Sequence, residues 1–308
     1  MSDSASITKW KSSGCFEKLN RYEQHQLAQL LENQEKHVSS DQMGMDEVTV
    51  ASVEKMSLPV AARAYHNLAI RSLVSVQVPG STIARMIVDD LSGKREEKIP
   101  TSTYKTDVEW MVPRVADYQE REFPRNILEA QLVRTMGDKV ADYVSGFVLN
   151  DLYSLANLEF VSNGAPEDLI EAFRRSSVEM YRTCRRHPNW IAGDFNLMVD
   201  LAFHDKHSFD LTIPNNGEDL NNRTQIKVRG KFGKYKFCHV PDAPGFIMGY
   251  KGEGNEVESG YFLMPYLLSA PVTSSPDETD KKVRIACRIG KKIVVEGGNF
   301  YTRIIVKK

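Results

Sequence analysis

A long stretch of periodically placed apolar residues runs from Ile127 to Phe160. Apolar side chains recur there about every 3.6 residues, which predicts one long amphipathic helix. Asn163 and Gly164 then predict the end of that helix. The helical apolar positions are Val133, Met136, Val140, Val144, Phe147, Val148, Leu152 and Leu155.

A second helix is predicted from Pro166 to Arg186, with an apolar face that includes Leu169 and Phe173. It ends in cations, which suit the negative end of the helix dipole. A capping role for these cations is favoured over a binding patch, and both remain open. The cations are Arg185, Arg186 and His187.

Residues 1–55 are predicted to form an arm. Phe16, Leu19, Leu27, Leu30 and Leu31 follow helical spacing, and a polar stretch comes after them. A single amphipathic helix cannot bury its own apolar stripe. We therefore expect it to dock on the body of its own subunit, on a neighbouring subunit or on a scaffold.

Residues 56–112 predict a helix, an extended segment and a long hairpin. The helix starts at Ser57, with Pro59 in its first turn, and the extended segment stops at Pro79. The hairpin over 81–112 rises through Ile83–Val88 and returns through Tyr104–Val112. Its predicted tip, 91–98, is too charged for a core.

The remainder of the chain predicts strands and loops. Apolar and polar residues alternate over 283–290, which indicates a half-buried strand. A polar stretch over 204–224 indicates a surface loop, and Glu296–Asn299 indicates the turn of a closing hairpin between Ile293–Val295 and 300–306. Further short strands are predicted at 197–199, 226–228 and 235–237.

Two apolar segments within 246–266 flank a tip of glycines and glutamates. Gly252 and Gly254 reach backbone angles that other residues avoid, so the two flanks can pair, and this pattern predicts a hairpin-like element of strand, exposed turn and strand. The glutamates of the tip are Glu253, Glu256 and Glu258.

The same segment resembles the major capsid proteins of T-even-like tailed bacteriophages. In that family a Gly-Tyr-Lys-Gly turn precedes an acidic stretch, a Gly-aromatic pair and Pro-Tyr. Here these are Gly249–Gly252, then Gly260 with Tyr261, and later Pro265 with Tyr266. Three more segments are similar to the family in the expected order: Met56–Gln77, Tyr181–Arg186 followed by Gly193-Asp194-Phe195, and Cys287–Gly290.

Three departures limit the resemblance. Val78-Pro79-Gly80 follows Gln77 where the family has Pro-Met, His187–Ala192 is an insertion, and Leu267-Leu268-Ser269 replaces Ile-Pro-Leu. These departures concern loop geometry and lattice size more than the fold.

The resemblance implies an α+β chain with the Hong Kong ninety-seven fold of tailed-phage capsid proteins. It implies an N-terminal arm, an extended loop, a peripheral domain with a spine helix, and an axial domain. The expected divisions are 1–55 for the arm, 56–80 for a peripheral helix and strand, 81–112 for the extended loop, 113–164 for the spine region, 165–265 for the axial domain and 266–308 for C-terminal peripheral strands.

The implied function is self-assembly into hexamers and pentamers of an icosahedral or prolate head around packaged double-stranded DNA. Implied partners are further copies of the chain, portal and scaffold proteins, and possible decoration proteins. The protein would be made in the host cytoplasm and reside in the virion. Same-fold alternatives are a vertex protein and a nanocompartment shell.

Several residues are candidates for these roles. Leu30-Leu31-Glu32 matches the Leu-x-Glu pattern after which the family's prohead protease cuts, so Glu32 is a possible processing site. The candidates for inter-subunit contact at the extended-loop tip are Lys94, Arg95, Glu96 and Glu97. The candidates in the axial turn are Gly249, Lys251, Gly252 and Gly260.

Composition weighs against other classes of protein. With 40 Lys and Arg against 41 Asp and Glu, the net charge of −1 supplies no cationic field for nucleic acid or membrane. A nucleic-acid-binding protein is therefore disfavoured and remains the second functional hypothesis, from another class of protein. An enzyme that uses the acidic tip is the third hypothesis. No sequence-specific DNA binding is expected.

Chemistry-bearing motifs are sparse. The pairs Cys184-x-x-His187, Cys238-His239 and His204-x-x-His207 lack a second pair at zinc-binding spacing, and the glycines from Gly249 do not open a phosphate-binding helix. Four scattered cysteines predict reduced thiols, and no apolar run is long enough to span a membrane. We expect no catalysis, no cofactor, no metal and no membrane association.

Overall fold

The computed structural model describes most of the chain, in the ranges given at the end of this paragraph. Five α-helices lie in the described part: α1 Arg21–Val38, α2 58–67, α3 Arg125–Leu155, α4 Pro166–Cys184 and α5 Val199–Ala202. Short 3-10 helices cover Ala69–Ser72, Phe195–Met198 and Gly297–Phe300. The described residues are 19–38, 58–81, 83–90, 93–100, 102–106, 125–202, 209–211, 228–232, 234–239, 243, 245–252, 259–272, 284–293 and 297–307.

The strands of the described part form three sheets. Their bounds are β1 Ser75–Val76, β2 Ile83–Asp90, β3 Gly93–Pro100, β4 Ser102–Thr106, β5 Leu158–Ser162, β6 Trp190–Gly193, β7 Phe209–Leu211, β8 Val228–Phe232, β9 Tyr235–His239, β10 Gly245–Gly249, β11 Tyr261–Val272, β12 Arg284–Ile293 and β13 Tyr301–Val306.

One sheet has four strands in the order β1-β11-β12-β4, and another has seven in the order β5-β13-β10-β6-β9-β8-β7. The third sheet contains β2 and β3 alone. Three pairs are parallel, namely β1 with β11, β5 with β13 and β6 with β9. The two larger sheets therefore combine sequence-distant strands, which makes most of the pairing non-local.

Helix α3 supplies the long helix that the apolar period predicts. Val140, Val144, Val148 and Leu152 on one of its faces are buried in the main core, together with residues of α1, α2 and both larger sheets. A second core lies between α4 and the seven-stranded sheet, where Phe173 meets Phe246 edge-to-face at 5.5 Å between ring centroids. Helix α3 thus connects the two sheets through one core.

The predicted end of this long helix is wrong. Helix α3 stops at Leu155, and Leu158–Ser162 form β5 beside β13. Burial alternates along β5, with Glu159 and Val161 exposed, so this short stretch follows a period of two. The strand predicted at 197–199 is also wrong. The Asp194 carboxylate accepts a hydrogen bond from the backbone N of Asn196 at 2.9 Å and caps a 3-10 helix instead.

Both glycine-centred hairpins predicted in the C-terminal half are wrong. Strand β10 pairs with β13 and β6, whereas β11 pairs with β1 and β12. Strands β10 and β11 therefore lie in different sheets. Likewise, β12 and β13 lie in different sheets, and the 3-10 helix Gly297–Phe300 directly precedes β13.

The predicted domain boundaries remain predictions, and the sheets cut across two of them. Strand β11 runs through the boundary at 265/266. Strands β5 and β13, assigned to the peripheral domain, pair within the same sheet as β6, β9 and β10 of the predicted axial domain.

Candidate assembly surfaces

Helix α1 docks on the body of its own subunit, which is one of the three placements expected for the arm helix. Leu27, Leu30 and Leu31 are buried in the main core. Tyr22, in contrast, is 43% exposed at the start of the helix. The apolar stripe is therefore satisfied within the chain.

Amide side chains of α1 also bind the backbone of the body. Asn33 Nδ2 donates to the carbonyl oxygens of Pro79 at 2.8 Å and Tyr266 at 3.3 Å. Gln26 Oε1 accepts a hydrogen bond from the backbone N of Val78. The Gln34 amide lies between Ser269 O and Leu268 N, and its orientation is assigned from these neighbours, with the nitrogen 2.6 Å from Ser269 O and the oxygen 2.9 Å from Leu268 N. All three amides are buried, so these bonds are protected from water.

These amides lie where the four-stranded sheet loses a partner. Strand β1 pairs with β11 only at Phe262 and Leu263, and Gln77 N adds a bond to Leu263 O at 2.9 Å. Beyond that point Asn33 and Gln34 contact the backbone of β11. Helix α1 therefore covers this edge of the sheet. An uncovered strand edge can pair with other chains, and α1 prevents such pairing here.

Glu32, the possible processing site, lies in the third turn of α1. Its side chain is exposed and pairs with Lys36 at 2.7 Å, whereas Leu31 and Asn33 on either side are buried. A protease that reads an extended segment therefore reaches this bond only after α1 unwinds. Cleavage at Glu32 stays a prediction.

The extended loop is a two-stranded ribbon in which Ile83 stands opposite Pro100 and Asp90 opposite Gly93. Residues 93–98 thus belong to the returning strand β3, so the predicted tip over 91–98 is wrong for these residues, and 91–92 lie outside the described residues. The four candidate contact residues lie in the returning strand β3, opposite residues 86–89 of β2: Lys94, Arg95, Glu96 and Glu97. The chain then enters β4, which pairs with β12 and not with β2.

The axial turn is held by Asn189. Asn189 Nδ2 donates to Lys251 O at 2.7 Å, and the backbone N of Lys251 donates to Asn189 Oδ1 at 3.1 Å. Lys251 Nζ in turn donates to the backbone carbonyl of Arg71. Lys251 thus links the end of the seven-stranded sheet to the 3-10 helix before β1.

Two glycines of the candidate set sit where a side chain does not fit. A Cβ atom on Gly249 would lie 2.1 Å from Cζ2 of Trp190, which is itself buried. A Cβ atom on Gly260 would lie 2.4 Å from the carbonyl oxygen of Gly297. Close packing explains both positions, and Gly252 is half-buried in the same turn.

Polar side-chain contacts join α3 to its neighbours. Arg63 Nε donates to Asp138 Oδ1 at 3.0 Å, and Asn67 Nδ2 donates to the same oxygen at 2.5 Å. Further along, Asp151 accepts from Tyr261 Oη at 2.9 Å and from Lys291 Nζ at 2.7 Å. These contacts join α3 to α2 and to the four-stranded sheet.

The described ranges contain neither a candidate metal site nor a candidate membrane-spanning helix. No group of three or more His, Cys, Asp or Glu residues there is arranged to hold a metal ion. No helix of those ranges has the length and apolarity needed to cross a membrane. The acidic-tip residues Glu253, Glu256 and Glu258 lie outside the described residues.

Sequence reasoning missed the polar residues that hold these surfaces together. Asn189 falls in a stretch noted only as an insertion, and Gln26, Asn33 and Gln34 belong to a helix noted for its apolar stripe and for Glu32. The available signal was the placement of amides on the same face as Leu27, Leu30 and Leu31. Asn33 and Gln34 adjoin this stripe at helical spacing.

Comparison with solved structures finds the same fold. The chain aligns with the crystal structure of a virus-like particle from Pyrococcus furiosus at a TM-score of 0.50 and 11% sequence identity. The alignment covers 82% of this chain and 98% of that one. Almost the whole of that subunit therefore has a counterpart here.

Phage structures are also similar, at lower scores. Mycobacterium phage Adephagia aligns at a TM-score of 0.48 and 9% identity, over 78% of this chain and 90% of that one. The capsid of cyanophage P-SCSP1u aligns at 0.45 and 11%, over 77% and 87%. No protein-family model and no curated protein sequence matches the chain.

Proposed function

We propose that this chain, which has the Hong Kong ninety-seven fold of tailed-phage capsid proteins, is a shell-forming protein whose copies assemble around a cargo. The support from comparison is the coverage of 98% of a subunit that comes from a virus-like particle. One fold can host several functions, so the proposal also rests on the surfaces of this chain that could contact a neighbouring subunit.

The observation that carries the proposal is the β2–β3 ribbon. Within the described residues, these two strands of eight residues each pair only with one another. A lone two-stranded ribbon is marginally stable in water, and both of its outer edges carry unpaired backbone groups. A neighbouring subunit that covers the ribbon satisfies those groups, which suits a protein built for self-assembly.

The finer assignment follows the resemblance to T-even-like major capsid proteins. Copies form hexamers and pentamers through head-to-tail contacts, which close because the rotation between neighbours is fixed. Lys94, Arg95, Glu96 and Glu97 contact an adjacent subunit, and the axial turn faces the centre of each ring. A portal, a scaffold and decoration proteins complete a head that encloses double-stranded DNA, and the chain resides in the virion.

The balance of charge supports enclosure without tight binding. A net charge of −1 gives the shell no overall attraction for phosphates, so packaged DNA stays free of salt-sensitive contacts. Retention of the subunit on duplex DNA that falls steeply with salt would instead support a nucleic-acid-binding protein.

Processing after Glu32 belongs to the same proposal. Cleavage there takes place while α1 is unwound, before the subunit reaches the docked state described above. Mass spectrometry of mature particles tests it, because an intact peptide spanning Glu32 and Asn33 contradicts processing at this bond.

The decisive experiment is negative-stain microscopy of the purified chain, with light scattering for the mass. We expect rings, tubes or closed shells of many subunits. A matched variant replaces residues 86–97 with Asn-Gly, which joins the facing positions Arg85 and Lys98 through a two-residue turn. This variant should fold and fail to form shells, whereas shells of normal size from it would contradict the role of the ribbon.

A further inference from the structure

We propose that helix α1 is a strap that sets the direction of the β2–β3 ribbon, by holding the segment from which the ribbon projects. This segment, residues 76–81, is called the root below. The inference deepens the proposed function, on which it rests only for the role of the ribbon in assembly. The contacts that support it lie within one subunit.

The first step is that one face of α1 lies along the root. Tyr22 Oη donates to Val76 O at 3.4 Å, and one turn later Gln26 Oε1 accepts from Val78 N. A Cβ atom on Gly80 would lie 3.8 Å from Nε2 of Gln29, and Asn33 donates to Pro79 O at 2.8 Å. These four positions of α1 are spaced by four, three and four residues, which places them along one helix face.

The second step is that the root leads directly into the ribbon. Strand β2 begins at Ile83, two residues after the end of the root, and Pro79 fixes one backbone angle within it. Within the described part of the chain β2 and β3 pair only with each other, so the body holds the ribbon through its two connections. One connection is β4, which follows β3 and pairs with β12, and the other is the root, which fixes the position of β2.

The third step is that packing leaves the root unsupported on one side. A pocket of about 240 Å³ lies beside it, lined by Gln77, Val78, Pro79, Gly80, Ser81, Ile83 and Met264. Ile83 at the mouth of the ribbon is 47% exposed. Bonds to β11 hold the start of the root at Val76 and Gln77, and beyond them the hydrogen bonds from α1 restrain Val78 and Pro79 beside this space.

The fourth step is that α1 is itself fixed to the rigid body. Glu23 pairs with Arg71 at 3.4 Å, and Asn33 and Gln34 contact the backbone of β11. Asn33 bridges the two sides, because its Nδ2 reaches both Pro79 of the root and Tyr266 of β11. A strap needs such an anchor to transmit the position of the sheet to the root.

The proposed cut after Glu32 divides this strap. It separates Gln26, which holds Val78, from Asn33, which holds Pro79 and β11. Loss of the segment before the cut would free one half of the root while Asn33 still holds the other. Docking of α1 would then determine when the ribbon is locked and when it is free to turn.

Hydrogen–deuterium exchange on the dissociated full-length subunit tests the strap without requiring assembly. The test variant is Gln26→Leu, which keeps the volume that packs α1 in place but removes the acceptor for Val78 N. We expect the Val78 amide to exchange about fivefold to tenfold faster, as for the loss of one buried hydrogen bond. Faster exchange should spread through residues 83–100, while α1 and β10 stay protected. The control Lys36→Ala, which removes only an exposed ion pair of α1, should leave the root unchanged.

Two results would overturn the strap. One is faster exchange at Val78 with the amides of 83–100 unchanged, which would mean that the ribbon does not follow its root. The other is faster exchange throughout the subunit, which would make α1 an ordinary core helix. Microscopy of the wild-type chain and of Gln26→Leu reports assembly separately. Failure of the wild-type chain to form shells counts against the proposed function and not against the strap.

Discussion

Gly260 and Gly297 face each other so closely that neither position has room for a side chain. A Cβ atom on Gly260 would lie 2.4 Å from the carbonyl oxygen of Gly297, and one on Gly297 would lie 2.3 Å from that of Gly260. Gly260 precedes β11 of the four-stranded sheet, and Gly297 opens the 3-10 helix before β13 of the seven-stranded sheet. The contact therefore joins the two sheets at the backbone.

Substitution at Gly260 should separate this contact. We expect Gly260→Ala to lower the free energy of unfolding by about 2–3 kcal/mol, as overpacking of a close-packed site does, and Gly260→Leu to block shell formation. Chemical denaturation measures the first effect and electron microscopy the second. The control is Gly146→Ala in α3, where a new Cβ meets nothing within 4 Å and should stabilise the helix by roughly 0.5–1 kcal/mol. Equal stability of the two alanine variants, or normal particles from Gly260→Leu, would contradict the prediction.

Removal of the Asp138 carboxylate should be costly. Its side chain is 7% exposed, accepts from Arg63 and Asn67, and neutralises a guanidinium that is itself only 28% exposed. We expect Asp138→Ala to lower the free energy of unfolding by about 3 kcal/mol, because Arg63 is left without its partner. Lys36→Ala breaks an ion pair that is exposed, so it should cost less than about 0.5 kcal/mol. Urea titration of both variants compares the two pairs, and a similar loss in each would refute the difference.

Asn189 should be required for order in the axial turn. The variant Asn189→Ala loses both hydrogen bonds to the backbone of Lys251, for which we expect about 2 kcal/mol of lost stability. The Lys251 amide, which donates to Asn189, should exchange with deuterium faster in this variant. Asn196→Ala removes an amide that is exposed and should leave Lys251 unaffected. Unchanged exchange at Lys251 in Asn189→Ala would show that another contact holds the turn.

Alkaline pH should destabilise the subunit through Cys287. Burial raises the pKa of this thiol from its ordinary value of about 9 to about 12. Below pH 9 the thiol is neutral in both states, so its contribution is complete. Between pH 9 and 12 only the unfolded chain ionises there, and stability falls by about 1.4 kcal/mol per pH unit.

The variant Cys287→Ala should show a flatter fall of melting temperature over this alkaline range. Cys184 supplies the control, because burial raises its pKa too but the residue is only half-buried. Cys184→Ala should therefore change the alkaline slope less. Identical slopes for the wild-type chain and Cys287→Ala would exclude the buried thiol as the cause.

Sequence resemblance predicted the fold, and the comparison with a solved structure confirms it at 11% identity. Local patterns failed where strand partners are distant. The apolar segments beside Gly249 and Gly260 each read as one half of a hairpin, yet Ile304 is the partner of Phe246 and Val76 the partner of Leu263. Turn residues report a change of direction and carry no information on which strand comes next.

The candidate surfaces were predictable in part for the same physical reason. Glycines at Gly249 and Gly260 stood out because they belong to a motif, and their close contacts with Trp190 and Gly297 now explain them. The amides of α1 did not stand out, since Asn33 reads as a solvated residue until its acceptors are known. Burial of a polar side chain depends on distant partners, which no local window contains.

The interior position of β13 in the seven-stranded sheet has a consequence for biosynthesis. Strand β13 lies between β5 and β10, so the seven-stranded sheet stays split until residues 301–306 have left the ribosome. A nascent chain that stops earlier leaves β5 without its partner and β10 with a bare edge. Non-local pairing of this kind forms late and slowly. Translation thus acts as a checkpoint, because a truncated product cannot complete the sheet that a full-length subunit brings to its neighbours.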